Sequence, residues 1–133
     1  MKGFNHLFFL FFLTLATACG GGGNSNNATP NNIPPVATAG QDISQTETLQ
    51  VTLSGTESTD TDGTISSYAW RQISGTQVSL SGSDQATASF TAPSTDTKLT
   101  LEFELSVTDN MGASSTDNVL VTVMPNLPPT ASA

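Results

Sequence analysis

From residue 99 every second side chain is apolar. Leu99, Leu101, Phe103, Leu105 and Val107 alternate with Thr100, Glu102, Glu104, Ser106 and Thr108. A period of two places the apolar set on one face of a β-strand and the polar set on the other. Val119, Val121 and Val123 repeat the pattern, as do Leu49, Val51 and Leu53 with Gln50, Thr52 and Ser54 between them. Another strand is predicted to begin near Ile65, with Tyr68, Trp70 and Gln72 on one face and Arg71 on the other. Shorter candidates are Val36 to Ala39, Gln77 to Leu80 and Ala86 to Thr91. Turn-forming residues separate them: Ser54-Gly55, Asp62-Gly63, Ser74-Gly75, Ser81-Gly82, Ala92-Pro93 and Asn110-Met111-Gly112.

About seven short strands at this spacing predict an all-β fold, an immunoglobulin-like β-sandwich, over residues 36–124. The chain has one cysteine, so no disulfide can join the sheets. The core then falls to Trp70, Tyr68, Phe90, Phe103, Leu101, Leu105, Val107 and Val121, and it is small at this size. Composition points the same way: 21 Thr and 16 Ser supply polarity while only 11% of the 133 residues are charged. Thr suits exposed strand faces, and Ser is a weak helix former.

Charge and rare residues exclude several chemistries. Three basic against 11 acidic side chains give a formal charge of −8, which argues against a nucleic-acid or anionic-membrane surface. One His and one Cys cannot assemble a zinc site, which needs three or four nitrogen or sulfur ligands.

Where those two residues lie gives them meaning. Met1-Lys2-Gly3 is a short basic start, and Leu7 to Leu15 is a nine-residue apolar run. That run is too short to span a bilayer, which takes about 20 residues, but it fits the apolar core of a secretory signal. Ala16-Thr17-Ala18 then fits a cleavage site. Cys19 follows, and Gly20 to Gly23 come directly after it. The arrangement resembles a bacterial lipoprotein signal, in which the cysteine sulfur receives a diacylglycerol and becomes the acylated N-terminus. Residues 1–18 would be removed, and Cys19 would be the lipidation site and the link to a membrane. An ordinary secretory cut at the same bond would instead release a soluble protein with a free N-terminal cysteine. Gly20 in the second mature position resembles outer-membrane sorting. The mature chain would keep Arg71 and Lys98 against all 11 carboxylates, with no histidine. Residues 20–35, rich in Gly, Asn and Pro, read as a tether with an r.m.s. span of roughly 20 Å.

The chain also repeats itself. Asn32 to Ala39 reads NIPPVATA, and Asn126 to Ala133 reads NLPPTASA, 94 residues on. Residues 125–133 are therefore expected to be a linker and the start of a second repeat, and the sequence to be the front of a longer protein of modules in series.

The stretches NIPPVATAGQD, LSGTESTDTDGTISSYAWRQISG, FTAP and LEFELSVTDNMGASSTDNVLVTV, in that order, resemble the PKD family of immunoglobulin-like modules. Arg71-Gln72-Ile73-Ser74-Gly75 after Trp70 is similar to the branch of the family with a Tyr-x-Trp-x-Gln strand. The resemblance implies a binding or spacer module without catalysis.

Candidate chemistry gathers at one end. Asp60 and Asp62 lie in a Ser-x-Asp-x-Asp-Gly turn between the second and third strands, and Asp109 in the turn between the last two. In an immunoglobulin-like topology both turns emerge at one pole, beside Asn32 and the incoming tether. Such oxygens can hold Ca²⁺, which takes six to eight; equally, Asp, Asn and Gly are what these turns require. No cofactor is otherwise needed. Trp70 reads as core in a central strand rather than as a sugar-stacking platform. Glu102 and Glu104 read as a solvated face that discourages edge pairing, with Arg71 in reach of one of them. Without a histidine in the mature chain a Ser-His-Asp arrangement is excluded, and a module of this size leaves little room for a cleft between paired carboxylates.

The sequence thus reads as a non-catalytic, exported protein, lipid-anchored in a bacterial cell envelope, at the outer membrane or cell surface. Its module would act as a spacer and as an adhesion domain for a protein or polysaccharide partner, monomeric within a longer chain. The alternative is the stalk of a secreted or anchored hydrolase whose catalytic domain lies beyond residue 133.

Overall fold

A computed structural model describes residues 31–127. Cys19, the signal segment, the tether up to residue 30 and residues 128–133 lie outside the described residues. Six strands form in chain order: β1 (Ile43–Thr46), β2 (Gln50–Ser54), β3 (Ile65–Ser74), β4 (Thr87–Thr91), β5 (Leu99–Asp109) and β6 (Ser114–Met124). One sheet has the order β1-β6-β5-β3, and β2 pairs with β4 in a second. All ladders are antiparallel except β1 with β6, which run parallel from Ile43↔Val121 to Thr46↔Met124.

The alternating residues dictate how the sheets meet. Leu101, Phe103, Leu105 and Val107 of β5 and Val119, Val121 and Val123 of β6 are fully enclosed. Val51 and Leu53 of β2 and Ala88 and Phe90 of β4 close over them from the second sheet. The Phe90 and Phe103 rings lie 4.9 Å apart, centroid to centroid, tilted by 33°. Trp70 is buried with them, whereas Tyr68 is only partly buried against the cluster. The buried core cluster runs from Ala39 to Val123, and the first and last strands are neighbours in one sheet.

The structure departs from the sequence expectation in other places as well. Leu49 is exposed rather than inward: the chain reverses at Thr48, whose φ is 62°, so the period of two starts only at Gln50. Val36 to Ala39 forms no ladder. Val36 makes a single bridge to Thr59, and the next amides go to side chains, Thr38 N–H to Ser58 Oγ and Ala39 N–H to Asp117 Oδ2. Gly40, at φ 82°, then turns the chain toward β6, where Leu120 N–H is accepted by Asp42 Oδ1 and β1 begins. Gln77 to Leu80 is likewise not a strand; Val78 and Leu80 pack partly on the core, and Ser81 bridges Ser89. Finally, β3 lies at the margin of its sheet while β5 is central. Trp70 therefore sits in a marginal strand, whose free side is met by the bond from Trp70 N–H to Ser83 O, and the β5 glutamates guard no edge.

Candidate functional site

The two ends of the β5–β6 hairpin define two poles. The leading pole is built on Asp109, the last residue of β5, which is 2% exposed. Its Oδ1 accepts the N–H groups of Met111 (2.8 Å) and Ala113 (2.9 Å), which shapes the turn. Its Oδ2 accepts the side-chain amide of Asn32 at 2.9 Å. Burial pushes the Asp109 carboxyl up, but the hydrogen bonds from Asn32, Met111, Ala113 and Gly112 outweigh it and hold the group below its ordinary value.

The turn between β2 and β3 completes this pole. Asp62 Oδ2 accepts Ile33 N–H at 3.0 Å. Thr64 and Asn110 lock the two turns together, Thr64 N–H donating to Asn110 Oδ1 and Asn110 N–H to Thr64 O, both at 2.9 Å. Gly63 is packed against Asn110 Oδ1 and Asp60 Oδ2, leaving no space for a side chain. A bulge follows, where Ser66 Oγ donates to Thr108 O and Asp109 O.

Asn32, Asp60, Asp62 and Asp109 are thus at one pole, but their oxygens are directed to different groups. Among the described residues, no three Asp, Glu, His or Cys side chains converge as a metal cage would require. Asp60 Oδ2 is buried and has no hydrogen-bond partner; with Asn110 Oδ1 it offers two oxygens around Gly63, short of the six to eight a calcium ion takes.

The trailing pole has an acceptor that the sequence did not single out. Glu47 Oε2 accepts Thr95 N–H (2.6 Å) and Ser94 Oγ–H (2.9 Å), and Glu47 Oε1 accepts Asn126 N–H at 3.0 Å. Its own N–H donates to Met124 O at 3.0 Å. The hydrogen bonds from Asn126, Thr95 and Ser94 hold the Glu47 carboxyl below its ordinary value, against a smaller opposing effect of burial. Glu47 stands in no alternation or turn motif, so nothing local marked it. Asp42 and Asp117 escaped notice for the same reason.

Gln72 clamps the loop after β3. Its Oε1 accepts Val78 N–H (2.9 Å), and its Nε2 donates to Ser74 O and Thr76 O. On the outer face of the larger sheet, Arg71 pairs with Glu104 at 2.7 Å. Glu102 accepts from Asn118 and Ser74. Trp70 presents no ring to solvent, and its Nε1 is buried without an acceptor. No pocket opens among the described residues.

Residues 39–123 match the family described as K319L-like, PKD domain. The solved PKD domain from KIAA 1837 protein is similar, with 28% identity and a TM-score of 0.60 over 72% of this chain and 92% of that one. A carbohydrate-binding module of the β-sandwich superfamily shares 28% identity and a TM-score of 0.54 over 73% of this chain. A nucleoside hydrolase-related protein from Saccharophagus degradans, associated with carbohydrate metabolism, shares the fold at 22% identity and a TM-score of 0.61 over 70% of this chain. The chain spans 37% of the carbohydrate-binding protein and 26% of the Saccharophagus protein. No curated protein sequence matches it significantly.

Proposed function

The chain belongs to the K319L-like PKD domain family, and from that premise we propose that it is a non-catalytic envelope lipoprotein whose module holds a protein- or carbohydrate-binding surface away from the membrane. One arrangement carries the reading. The chain comes in at the leading pole, beside Asp109 at the end of β5, and leaves at the trailing pole past Met124, beside Glu47. The eleven residues of β5 between those poles measure roughly 35 Å. A unit traversed end to end adds its whole length to the reach of a chain fixed at one end.

The rest of the reading is supported by sequence and likeness. The apolar run and Cys19 supply the anchor, and residues 20–35 the tether. Stable anchoring takes more than one acyl chain, each buried CH₂ contributing about 0.8 kcal/mol. Similarity to a carbohydrate-binding module favours glycans among the ligands to be tried. The same end-to-end path suits a stalk beneath a hydrolase domain, and the reading frame past residue 133 separates the two.

Expression of the whole chain in a diderm bacterial host tests the proposal. We expect the protein in the membrane fraction, with an acylated N-terminal peptide by intact mass, and Cys19→Ser in the soluble fraction. An unmodified Cys19 peptide overturns the anchor. The module, residues 31–127, is then applied to arrays of glycans and surface proteins. Saturable retention supports the binding role, and none on either array removes it.

A further inference from the structure

The repeat beginning at Asn126 and the hydrogen bonds at the two poles bear on one residue. Asn126 stands where Asn32 stands in the earlier copy of the motif, and Leu127 stands where Ile33 does. At the leading pole Asn32 uses its side chain, donating to Asp109 Oδ2, while Ile33 uses its backbone N–H, donating to Asp62 Oδ2. At the trailing pole Asn126 uses the group that Asn32 leaves over: its backbone N–H donates to Glu47 Oε1. The two sets of bonds do not compete for any atom.

We propose that Asn126 is a joint shared by two consecutive modules, its backbone N–H held by Glu47 of the module behind and its side chain by the counterpart of Asp109 in a second copy ahead. This inference rests on the reading of the chain as modules in series. No residue then lies between the last anchoring bond of one module and the first of the next. Flexible linkers gain their freedom from unrestrained residues, and here there are none. Pro125, directly before the joint, restricts the backbone further by fixing φ.

The surroundings of Glu47 suit a covered surface. Leu49, two residues beyond it, Met124, whose carbonyl accepts its N–H, and Leu127 are all exposed. At the leading pole Ile33 and Met111 are exposed in the same way. A second copy seated on the Asn126 joint brings its counterpart of Met111 to the trailing pole of the first, so that apolar side chains of both copies meet around the shared asparagine. Consecutive modules are thereby held at a fixed angle, not merely strung together.

The test is a tandem in which residues 31–125 are followed by a second copy of residues 32–127, so that the second Asn32 occupies the place of Asn126. Asp84, exposed and next to Ser83, whose carbonyl accepts Trp70 N–H midway along β3, is changed to Cys in each copy and spin-labelled. Double electron–electron resonance is expected to give one narrow distance distribution. Inserting Gly-Ser-Gly-Ser before the shared asparagine, which leaves both modules whole, is expected to broaden it at least twofold. Glu47→Gln in the first copy, checked for an unchanged fold by its melting curve, is expected to broaden it as well. A tandem distribution already as wide as that of the insertion overturns the joint. A native reading frame without a second copy overturns the serial reading beneath it, and the two failures are read from different measurements.

Discussion

Asn32 donates its side-chain amide to Asp109 Oδ2 at 2.9 Å, joining residues 77 positions apart. The bond closes the leading pole over a carboxylate that is almost wholly enclosed, and it is one of the reasons that carboxylate titrates low. Glu47 is lowered as well, at the other pole.

Stability is therefore expected to depend on acid at both ends. A group whose folded pKa is depressed contributes stability above its unfolded pKa, near 4 for these side chains. That contribution is lost as the pH falls through the folded value. Thermal melts followed by circular dichroism should give a nearly constant Tm from pH 7 to about 5 and a decline below about 4. Asp109→Asn should melt on the order of 10 °C lower at pH 7 and lose less on acidification. An acid limb parallel to that of the parent would mean that the bonds to Asp109 carry no proton linkage.

Phe103 is fully enclosed, with its ring against Phe90. Phe103→Ala is expected to cost about 3–5 kcal/mol, a large part of the roughly 5–15 kcal/mol that holds a domain folded. Phe103→Leu retains most of the volume and should cost less than half as much. Urea unfolding distinguishes them, and equal midpoints for the two variants would place the ring outside the packed core.

Gly75 and Gly112 both have φ near +90°, yet they should not respond alike to a methyl group. At Gly75 a Cβ would come within 2.6 Å of Thr100 O and 2.7 Å of Leu101 Cδ2. At Gly112 it would meet nothing within 4 Å. Gly112→Ala is expected to cost only the left-handed backbone, about 1–2 kcal/mol, and Gly75→Ala measurably more. Denaturant midpoints in the reverse order would contradict the contact at Thr100.

How far the fold could be read from the sequence depended on whether structure was written in a repeating pattern. β5 and β6 are long, and each has one wet and one dry face, so Leu101 through Val123 could be placed by parity alone. β1 could not. Its four residues, Ile43 to Thr46, hold a single apolar side chain, and the strand exists because Gly40 and Asp42 deliver it to the margin of β6. Leu49 shows the opposite failure, an alternation that starts in the sequence one residue before the strand does, while the backbone is still leaving its turn at Thr48. At the leading pole the order of the turns brought Asn32 near Asp109, but which donor meets each carboxylate oxygen depends on ångström-scale backbone placement. Glu47 binds three groups from sequence-distant segments, and composition says nothing of that.

The same distribution of donors leads to an expectation for calcium. Recruiting Asp109 to an ion would cost it the N–H groups of Asn32, Met111 and Ala113, and Asp60 Oδ2 is the one buried carboxylate oxygen of the pole without a donor. Millimolar calcium is accordingly expected to move Tm by less than about 1 °C, as for a ligand far below its dissociation constant. A rise of several degrees that Asp60→Asn abolishes would show the two turns rearranging around the ion.

The parallel pairing of β1 with β6 governs how the unit answers to force. Tension drawn between the two poles pulls β1 one way along the ladder and β6 the other. The pairs from Ile43↔Val121 to Thr46↔Met124 lie across that pull and share it. They yield together or not at all, unlike a hairpin opened from its end one bond at a time. The first and last strands thus latch the module shut under a load along its own axis.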